Sequence, residues 1–511
     1  MSQENSDRIS GKLRTARHRR TRWLAGAALL VLPLSACAVG PDFHKPEPPP
    51  VTTYQATPAG TTSATPNVTG GEAQTFTQGK DLAGDWWTLF HSQPLNDLIT
   101  RALANNHDLK AAQAALKVAH ESALAHRGVF LPSVQAGFSA NHQQQSGVLA
   151  PTPNANIFQY DLFTPQLNIS YTPDVFGLNK RSQESLDAQA QAARYQMLAT
   201  YTTLTANVVV TAIQAAALQS QIDATHQLID IDTNIVKILQ YQLDKGYASR
   251  VDLAAQQAQL AQTTATLPPL LKQQAQLRDL LATLAGLYPN QAPADNFDLT
   301  TLQLPTDLPL SLPSTLVEQR PDVLQAEANL HSASAQVGVA AANRLPSFLL
   351  TADVGSTALQ IGQLFASGTG FFSLGAALTA PIFEGGMLKH QELAAKAAYE
   401  ESAEQYRSTV LNALQNVADT LAALQQDADG LKASSAAETA SKTSLDLAQA
   451  QVEDGYSGYL NLLNAQQSYQ QARIALLQAE ANRFADTAAL YQALGGGWWH
   501  QPELAENNHA H

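Results

Sequence analysis

The sequence predicts an α+β membrane protein in which one unit of helix, strand pair, very long helix and return helix occurs twice in tandem. Three observations predict it. The chain aligns with itself at a nearly constant offset, two long stretches keep a heptad repeat, and four short segments alternate apolar with polar residues.

The repetition is the strongest constraint, because a duplicated unit fixes architecture more firmly than any single motif. Asn105–Val134 aligns without gaps to Gln319–Phe348, and eight of the 30 positions are identical, ending in Leu131-Pro132-Ser133 against Leu345-Pro346-Ser347. Thr172–Gly177 parallels Ala380–Gly385, and Asp244-Lys245-Gly246-Tyr247 parallels Glu453-Asp454-Gly455-Tyr456. The offsets of these three matches are 214, 208 and 209 residues.

The N-terminus reads as a signal. Arg14, Arg17, Arg19, Arg20 and Arg22 precede the apolar run Trp23–Leu34, which is too short to span a membrane. Leu34-Ser35-Ala36-Cys37 then resembles a bacterial lipobox. It makes residues 1–36 a lipoprotein signal peptide and Cys37, the single cysteine, the first residue of the mature chain and its lipid carrier; a cleaved signal beside a chance cysteine is the alternative. Ala38 in place of Asp points to the outer membrane by the usual sorting rule. Residues 1–36 hold seven basic and two acidic residues, so the remainder carries 23 basic and 41 acidic ones, a net charge of −18. Such a surface disfavours nucleic acid.

Residues 37–80, rich in Pro, Thr, Ala and Gly, read as a flexible lipid-anchored tether. The first repeat covers 81–313 and the second 314–499, followed by a disordered tail at 500–511. In the first, a helix near Leu95–Arg127 leads to a strand pair near 133–173. Val134, Ala136, Phe138 and Ala140 alternate with polar residues, as do Leu167, Ile169 and Tyr171. In the second, Leu316–Arg344 leads to strands near 347–381, with Phe348, Leu350, Ala352 and Val354, then Phe372, Leu374, Ala376 and Leu378. Period two gives one apolar and one polar face. That suits a transmembrane barrel or an ordinary half-buried sheet. Four strands cannot close a barrel, so the first reading requires several chains.

The rods follow, at 178–245 and 388–454. The first contains neither Pro nor internal Gly and would extend on the order of 100 Å at about 1.5 Å per residue. Tyr201, Val208, Ala215, Ile222, Ile229, Val236 and Leu243 fall every seven residues, with Leu204, Leu218 and Leu239 interleaved. In the second, Val410, Val417, Leu424, Leu431, Leu445 and Val452 share a register that Glu438 alone interrupts with charge. A 3.5-residue repeat implies coiled-coil packing. Gly246 and Gly455 end the rods at tight turns. Ser249 with Asp252 resembles a capping box opening the return helix 250–287, which Pro268-Pro269 is expected to interrupt before an equatorial segment. The second return helix spans 459–494.

These features resemble the TolC-like outer-membrane factors, in particular the NodT-type efflux lipoprotein branch. The residues carrying the resemblance are Trp86-Trp87 with Phe90 and Leu95, Leu131-Pro132-Ser133, Asp174-Val175-Phe176-Gly177, Pro381–Gly386, Tyr459–Ala465 and Tyr491–Trp499. The resemblance implies a homotrimer with a 12-stranded outer-membrane β-barrel and a periplasmic α-helical barrel. It further implies a periplasmic adaptor (membrane fusion protein) and an inner-membrane pump of the RND or another class as partners. It implies a gate at the periplasmic tip, at Leu460, Asn461 and Asn464, with Asp252 in the first repeat as cap or gate. The family commonly carries aspartates where Asn461 and Asn464 stand.

No nucleophile elbow, phosphate-binding loop or HExxH motif is present, and Gly495-Gly496-Gly497 follows a helix and not a strand. His500, His509 and His511 read as parts of a solvated tail. The chain is therefore not expected to be an enzyme, and no cofactor is expected beyond the lipid on Cys37. The expected function is a passive outer-membrane exit duct for small molecules delivered by a pump. The alternatives are a duct for type I protein secretion and a coiled-coil lipoprotein bridging envelope layers.

Overall fold

The computed structural model describes residues 38–57, 60–145, 158–292, 297–454 and 459–505; Cys37, Gly455, His509 and His511 lie outside them. The chain forms two compact units.

The first unit comprises the chain up to His44, Ala119–Gln189 and Asn329–Ser402. It holds a four-stranded antiparallel sheet. With β1 assigned to Thr75–Gln78 in the second unit, its strands are β2 (Ser133–Gln145), β3 (Phe158–Tyr171), β5 (Ser347–Ser356) and β6 (Gly370–Thr379), in the order β2-β3-β5-β6. The two repeats therefore contribute adjacent strand pairs. β2 and β6 are the outer strands, each paired on one side only.

The second unit comprises Lys45–Val118, Ala190–Ala328 and Ala403–His511. Here β1 pairs in parallel with β4 (Asp307–Leu310). The helices in chain order are α1 (Gln93–Asn105), α2 (His107–Arg127), α3 (Leu178–Asp244), α4 (Arg250–Leu284), α5 (Pro313–Gln319), α6 (Pro321–Ala342), α7 (Met387–Glu453), α8 (Tyr459–Ala493) and α9 (Pro502–Ala505). Residues of α2, α3, α6 and α7 occur in both units.

Each helix has a local cause. α1 ends at Asn106, whose side-chain oxygen accepts the Leu109 N–H at 2.9 Å and so opens α2. At the equivalent place in the second repeat Pro321 begins α6, and its ring forces Arg320 out of the helical region (ψ 124°). The heptad residues of α7 are buried, Val417 and Leu424 completely. In α3, 72% of the apolar window that could cross a membrane is already buried by its neighbours, so this helix reads as a core helix. An aromatic cluster closes the second unit where Trp86 stacks on Tyr491 with ring centroids 5.1 Å apart.

Three expectations are corrected. α4 continues through Pro268 and Pro269 instead of breaking there. It stops after Leu284 because Gly286 turns left-handed at φ 70°, and any side chain there would meet the Asn105 carbonyl 2.5 Å away. The described part of the segment after Cys37 is not a free tether. In the first unit the Val39 N–H donates to the Phe176 carbonyl at 3.1 Å, while Arg181 donates to Val39 O at 3.1 Å and to Asp42 at 2.6 Å. In the second, Thr62 pairs with Gln74, and the buried Arg483 donates to the carbonyls of Gly70 and Glu72. A Pro-rich chain is extended, and an extended chain can satisfy its backbone against a neighbouring surface as readily as against water. The tail is also ordered further than expected. Arg194 donates to the Leu504 carbonyl at 2.8 Å, and His500 lies 2.6 Å from Asp81.

Candidate functional site

Two places are candidates for function, the sheet of the first unit and the turn that leads from α3 into α4 with the start of α8 in the second.

The sheet's register decides which side chains share a face. Val134, Ile169, Ala352 and Leu374 lie directly opposite one another across all four strands. The next row is Ala136, Leu167, Val354 and Phe372. Between them runs Gln135, Asn168, Asp353 and Ser373, and on the other side Ser133, Ser170, Thr351 and Gly375. Successive residues point to opposite faces, so one face is apolar and the other polar over the width of the sheet. The polar face is stitched by side chains: Ser133 and Ser170 are 2.7 Å apart, and Ser373 donates to Asp353 at 2.9 Å. Among the described residues little covers the apolar face, with Val134 63%, Phe372 77% and Leu374 78% exposed. A bare apolar face this regular marks contact with lipid or another protein.

At the tip, Gly246 turns left-handed at φ 79° just after α3. Ser249 then caps α4. Its hydroxyl accepts the Asp252 N–H at 3.1 Å, and Asp252 accepts the Ser249 N–H at 3.1 Å and its hydroxyl at 2.6 Å. The capping box is thus fully formed, and one carboxylate oxygen of Asp252 is committed to it.

α8 presents two faces at its start. Tyr459, Leu462 and Ala465 pack with Ile235, Leu239, Leu253, Leu445 and Val452 in one apolar cluster. The opposite face carries Leu460, 67% exposed, together with Asn461 and Asn464. The two asparagines line a groove of about 610 Å³ with Thr443, Ser444, Leu447 and Gln451 of α7. Leu460, Asn461 and Asn464 therefore come together on one side of α8, while Asp252 stands on α4. Leu447 and Gln451 join the asparagine face without having been foreseen.

A second set of residues went unforeseen. Asp232 of α3 is buried and accepts hydrogen bonds from Gln256 (3.2 Å) and Thr263 (2.7 Å) of α4 and from Gln466 (3.0 Å) of α8. Burial raises the Asp232 carboxyl above its usual range, opposed by the bonds from Thr263 and Gln256. This knot ties α8 to the α3–α4 hairpin. It is incompletely satisfied: the amide oxygens of Gln256 and Gln466 and the Tyr459 hydroxyl are buried with no partner among the described residues. The available signal was periodicity, because Asp232 occupies the interleaved register of Leu204, Leu218 and Leu239, a seam position where a charge is unexpected.

Among the described residues no cluster of His, Cys, Asp and Glu is arranged to hold a metal.

Comparison with known proteins agrees with this geometry. The family model described as outer membrane efflux protein matches residues 98–287 and 312–496. The pyoverdine export outer membrane protein OpmQ of Pseudomonas putida is 30% identical over 477 residues, covering 92% of this chain and 97% of that protein. The toluene efflux pump outer membrane protein TtgF of the same species is 29% identical, covering 94% and 98%. Among solved structures, the outer-membrane channel OprN superimposes with a TM-score of 0.81 at 25% identity, covering 90% of this chain and 100% of that one. The open state of the Neisseria gonorrhoeae MtrE outer membrane channel gives 0.76 at 27% identity, covering 90% and 98%.

Proposed function

The chain belongs to the outer membrane efflux protein family, and from that premise we propose that three copies close one duct, gated at its periplasmic tip by the start of α8. The protein is an efflux component of the outer membrane and not an enzyme. The observation that carries the finer reading is the sheet. Each chain supplies four strands, an uncovered apolar face and two half-paired edges. Hydrocarbon tolerates no open edge, so the edges of one copy must pair with those of the next. Three copies give the 12-stranded barrel of the TolC-like proteins, with the polar face inward and the long helices forming the periplasmic tunnel.

At the tip, Leu460 supplies an apolar constriction, and Asn461 and Asn464 line the axis. Asparagine both donates and accepts, so three copies can bond across the axis without the mutual repulsion of an aspartate ring. Asp252 serves this gate as the cap that holds the α3–α4 turn. Gly246 serves it by keeping the α3–α4 turn tight. Opening moves α8 away from α3 and α4, at the expense of the Asp232 knot.

The lipid on Cys37 holds the duct in the outer membrane. Support comes from Val39 and Asp42, which bond to Phe176 and Arg181 between β3 and the first turn of α3, so that the described chain begins against the unit that holds the sheet. A periplasmic adaptor and an inner-membrane pump complete the path. Relatives named for pyoverdine export and toluene efflux favour small molecules over a secreted protein as cargo. An envelope-bridging coiled coil would leave the two-faced sheet without a purpose.

The test is single-channel conductance of the purified protein in a planar bilayer, wild type beside Leu460→Ala/Asn464→Ala. A small resting conductance that rises in the variant is the expected result. Equal conductances would remove the gate from α8, and silence from both correctly assembled proteins would remove the pore.

A further inference from the structure

Away from the start of α8, the second unit holds a half-open cavity of about 650 Å³. Its walls come from α3, α7, α8, the 298–300 turn and Pro66–Thr69 of the segment that follows Cys37. Four carboxylates line it, Asp223, Asp298, Glu438 and Glu480, against one cation, Arg473. Three of the four have partners. Asp223 accepts from Gln219 at 2.9 Å, Asp298 accepts the N–H and hydroxyl of Thr300, and Glu438 stands 3.9 Å from Arg473.

Glu480 has none among the described residues. It is 8% exposed, it lines the cavity, and no hydrogen bond or ion pair reaches its carboxylate. A buried acid without a partner is costly, and proteins keep such groups where a ligand completes them. The heptad points to the same place. Glu438 is the charged residue at a seam position of α7 that otherwise carries Val and Leu, and its only ion-pair partner among the described residues is Arg473 at the long distance of 3.9 Å.

We propose that this cavity is a binding site for a flexible organic polycation, a polyamine-like chain whose ammonium groups pair with Glu480 and Glu438. The chemistry selects this class. No set of three acidic or histidine ligands is close enough to chelate a bare metal among the described residues. The cavity volume falls in the range of small-molecule sites, about 300–1,000 Å³, well above the need of a single ion. Carboxylates on separate walls suit charges spaced along a chain, and the hydroxyls of Thr300, Ser435 and Thr439 offer further acceptors at the lining. Burial, with Glu438 nearby adding to it, raises the Glu480 carboxyl to about 7 despite Arg473. A bound ammonium would reverse that, so affinity should grow between pH 6 and pH 8. The site does not depend on how the gate works.

Spermidine titrated calorimetrically into the full-length protein in detergent tests this. One saturable event per chain at pH 8 is expected, weakened about tenfold or more in Glu480→Gln. Arg473→Gln, which removes the competing cation, should tighten it. Gel filtration establishes that both variants assemble as wild type does. No saturable binding to wild type, or equal binding by Glu480→Gln, overturns the proposal. Magnesium chloride alone binding more tightly than spermidine, and sensitive to the same substitution, would make this an inorganic cation site and overturn the assigned class.

Discussion

The sheet's two faces can be told apart by moving one charge by one residue. Leu374 and Ser373 are neighbours on β6, but the register puts Leu374 in the apolar row and Ser373 in the polar one. Leu374 is at mid-strand and 78% exposed, so Leu374→Arg would hold a guanidinium in the hydrocarbon. That costs about 2–4 kcal/mol per copy near the midplane, or roughly 6–12 kcal/mol for a trimer. The opposing Ser373→Arg loses one hydrogen bond to Asp353, but sets the new cation directly across from that carboxylate on a wetted face. It should be nearly neutral. The assay is the fraction of protein recovered from outer membranes as heat-resistant trimer on a denaturing gel. Leu374→Arg should abolish most of it and Ser373→Arg should leave it near wild type. The opposite order would mean that the faces are reversed. Equal tolerance would mean that neither face meets lipid, and the barrel would have to be abandoned.

Other outcomes follow from the helical unit. Glu480 holds its proton more tightly folded, with the carboxyl at about 7, than its ordinary 4.5. Its contribution to stability is therefore full below pH 4.5 and declines as pH rises to about 7, by about 3 kcal/mol in all. The thermal midpoint of Glu480→Gln should fall less over that interval, and parallel curves would refute the assignment. Asp427, which burial and then Asp486 raise to about 7, titrates in both proteins and cancels in the difference. Asp232→Leu leaves the amides of Gln256 and Gln466 buried without an acceptor, at about 1–3 kcal/mol each. Faster amide exchange at the start of α8 and a raised resting conductance are expected, and unchanged exchange would remove Asp232 from the tie. Cys37→Ser should lose metabolically incorporated palmitate, and retained label would place the lipid elsewhere.

Periodicity carried most of the architecture. Alternation at Val134–Ala140 and Phe372–Leu378 and heptads in α3 and α7 are local patterns, legible because each face meets one environment. What escaped was set by tertiary partners. The Pro-rich residues 38–80 look unstructured by composition, yet Arg483, some four hundred residues away, gives their carbonyls donors. Pro268 and Pro269 look like a break, yet α4 is continuous through them. The proposed gate residues could be placed on α8 by motif, but only packing reveals that Leu462 and Ala465 turn inward while Leu460 and Asn464 turn out. Asp232 sat in plain view at a seam position, and its three partners, spread over two other helices, could not be paired by spacing alone.

The duplication also bears on why the proposed gate belongs to one repeat. At the 209-residue offset of the tip turns, Val251 matches Leu460, Asp252 matches Asn461 and Ala255 matches Asn464. Both repeats expose the apolar residue, Val251 at 76% and Leu460 at 67%, and both bury the leucine two positions on. The helices thus begin with the same face outward, and six apolar residues from three copies could ring the tip. They differ in what the polar positions can do. The first repeat spends Asp252 on its own capping box and offers at 255 an alanine, whose side chain has no hydrogen-bonding group and packs against the apolar cluster. The second supplies two amides one helical turn apart, beside Thr443, Ser444 and Gln451 of α7. Only the second repeat can therefore form a hydrogen-bonded closure that breaks and remakes without carrying charge. Because Gln466 lies on the same helix, the proposed gate predicts that the tie to Asp232 and the closure at Asn464 loosen together when α8 moves.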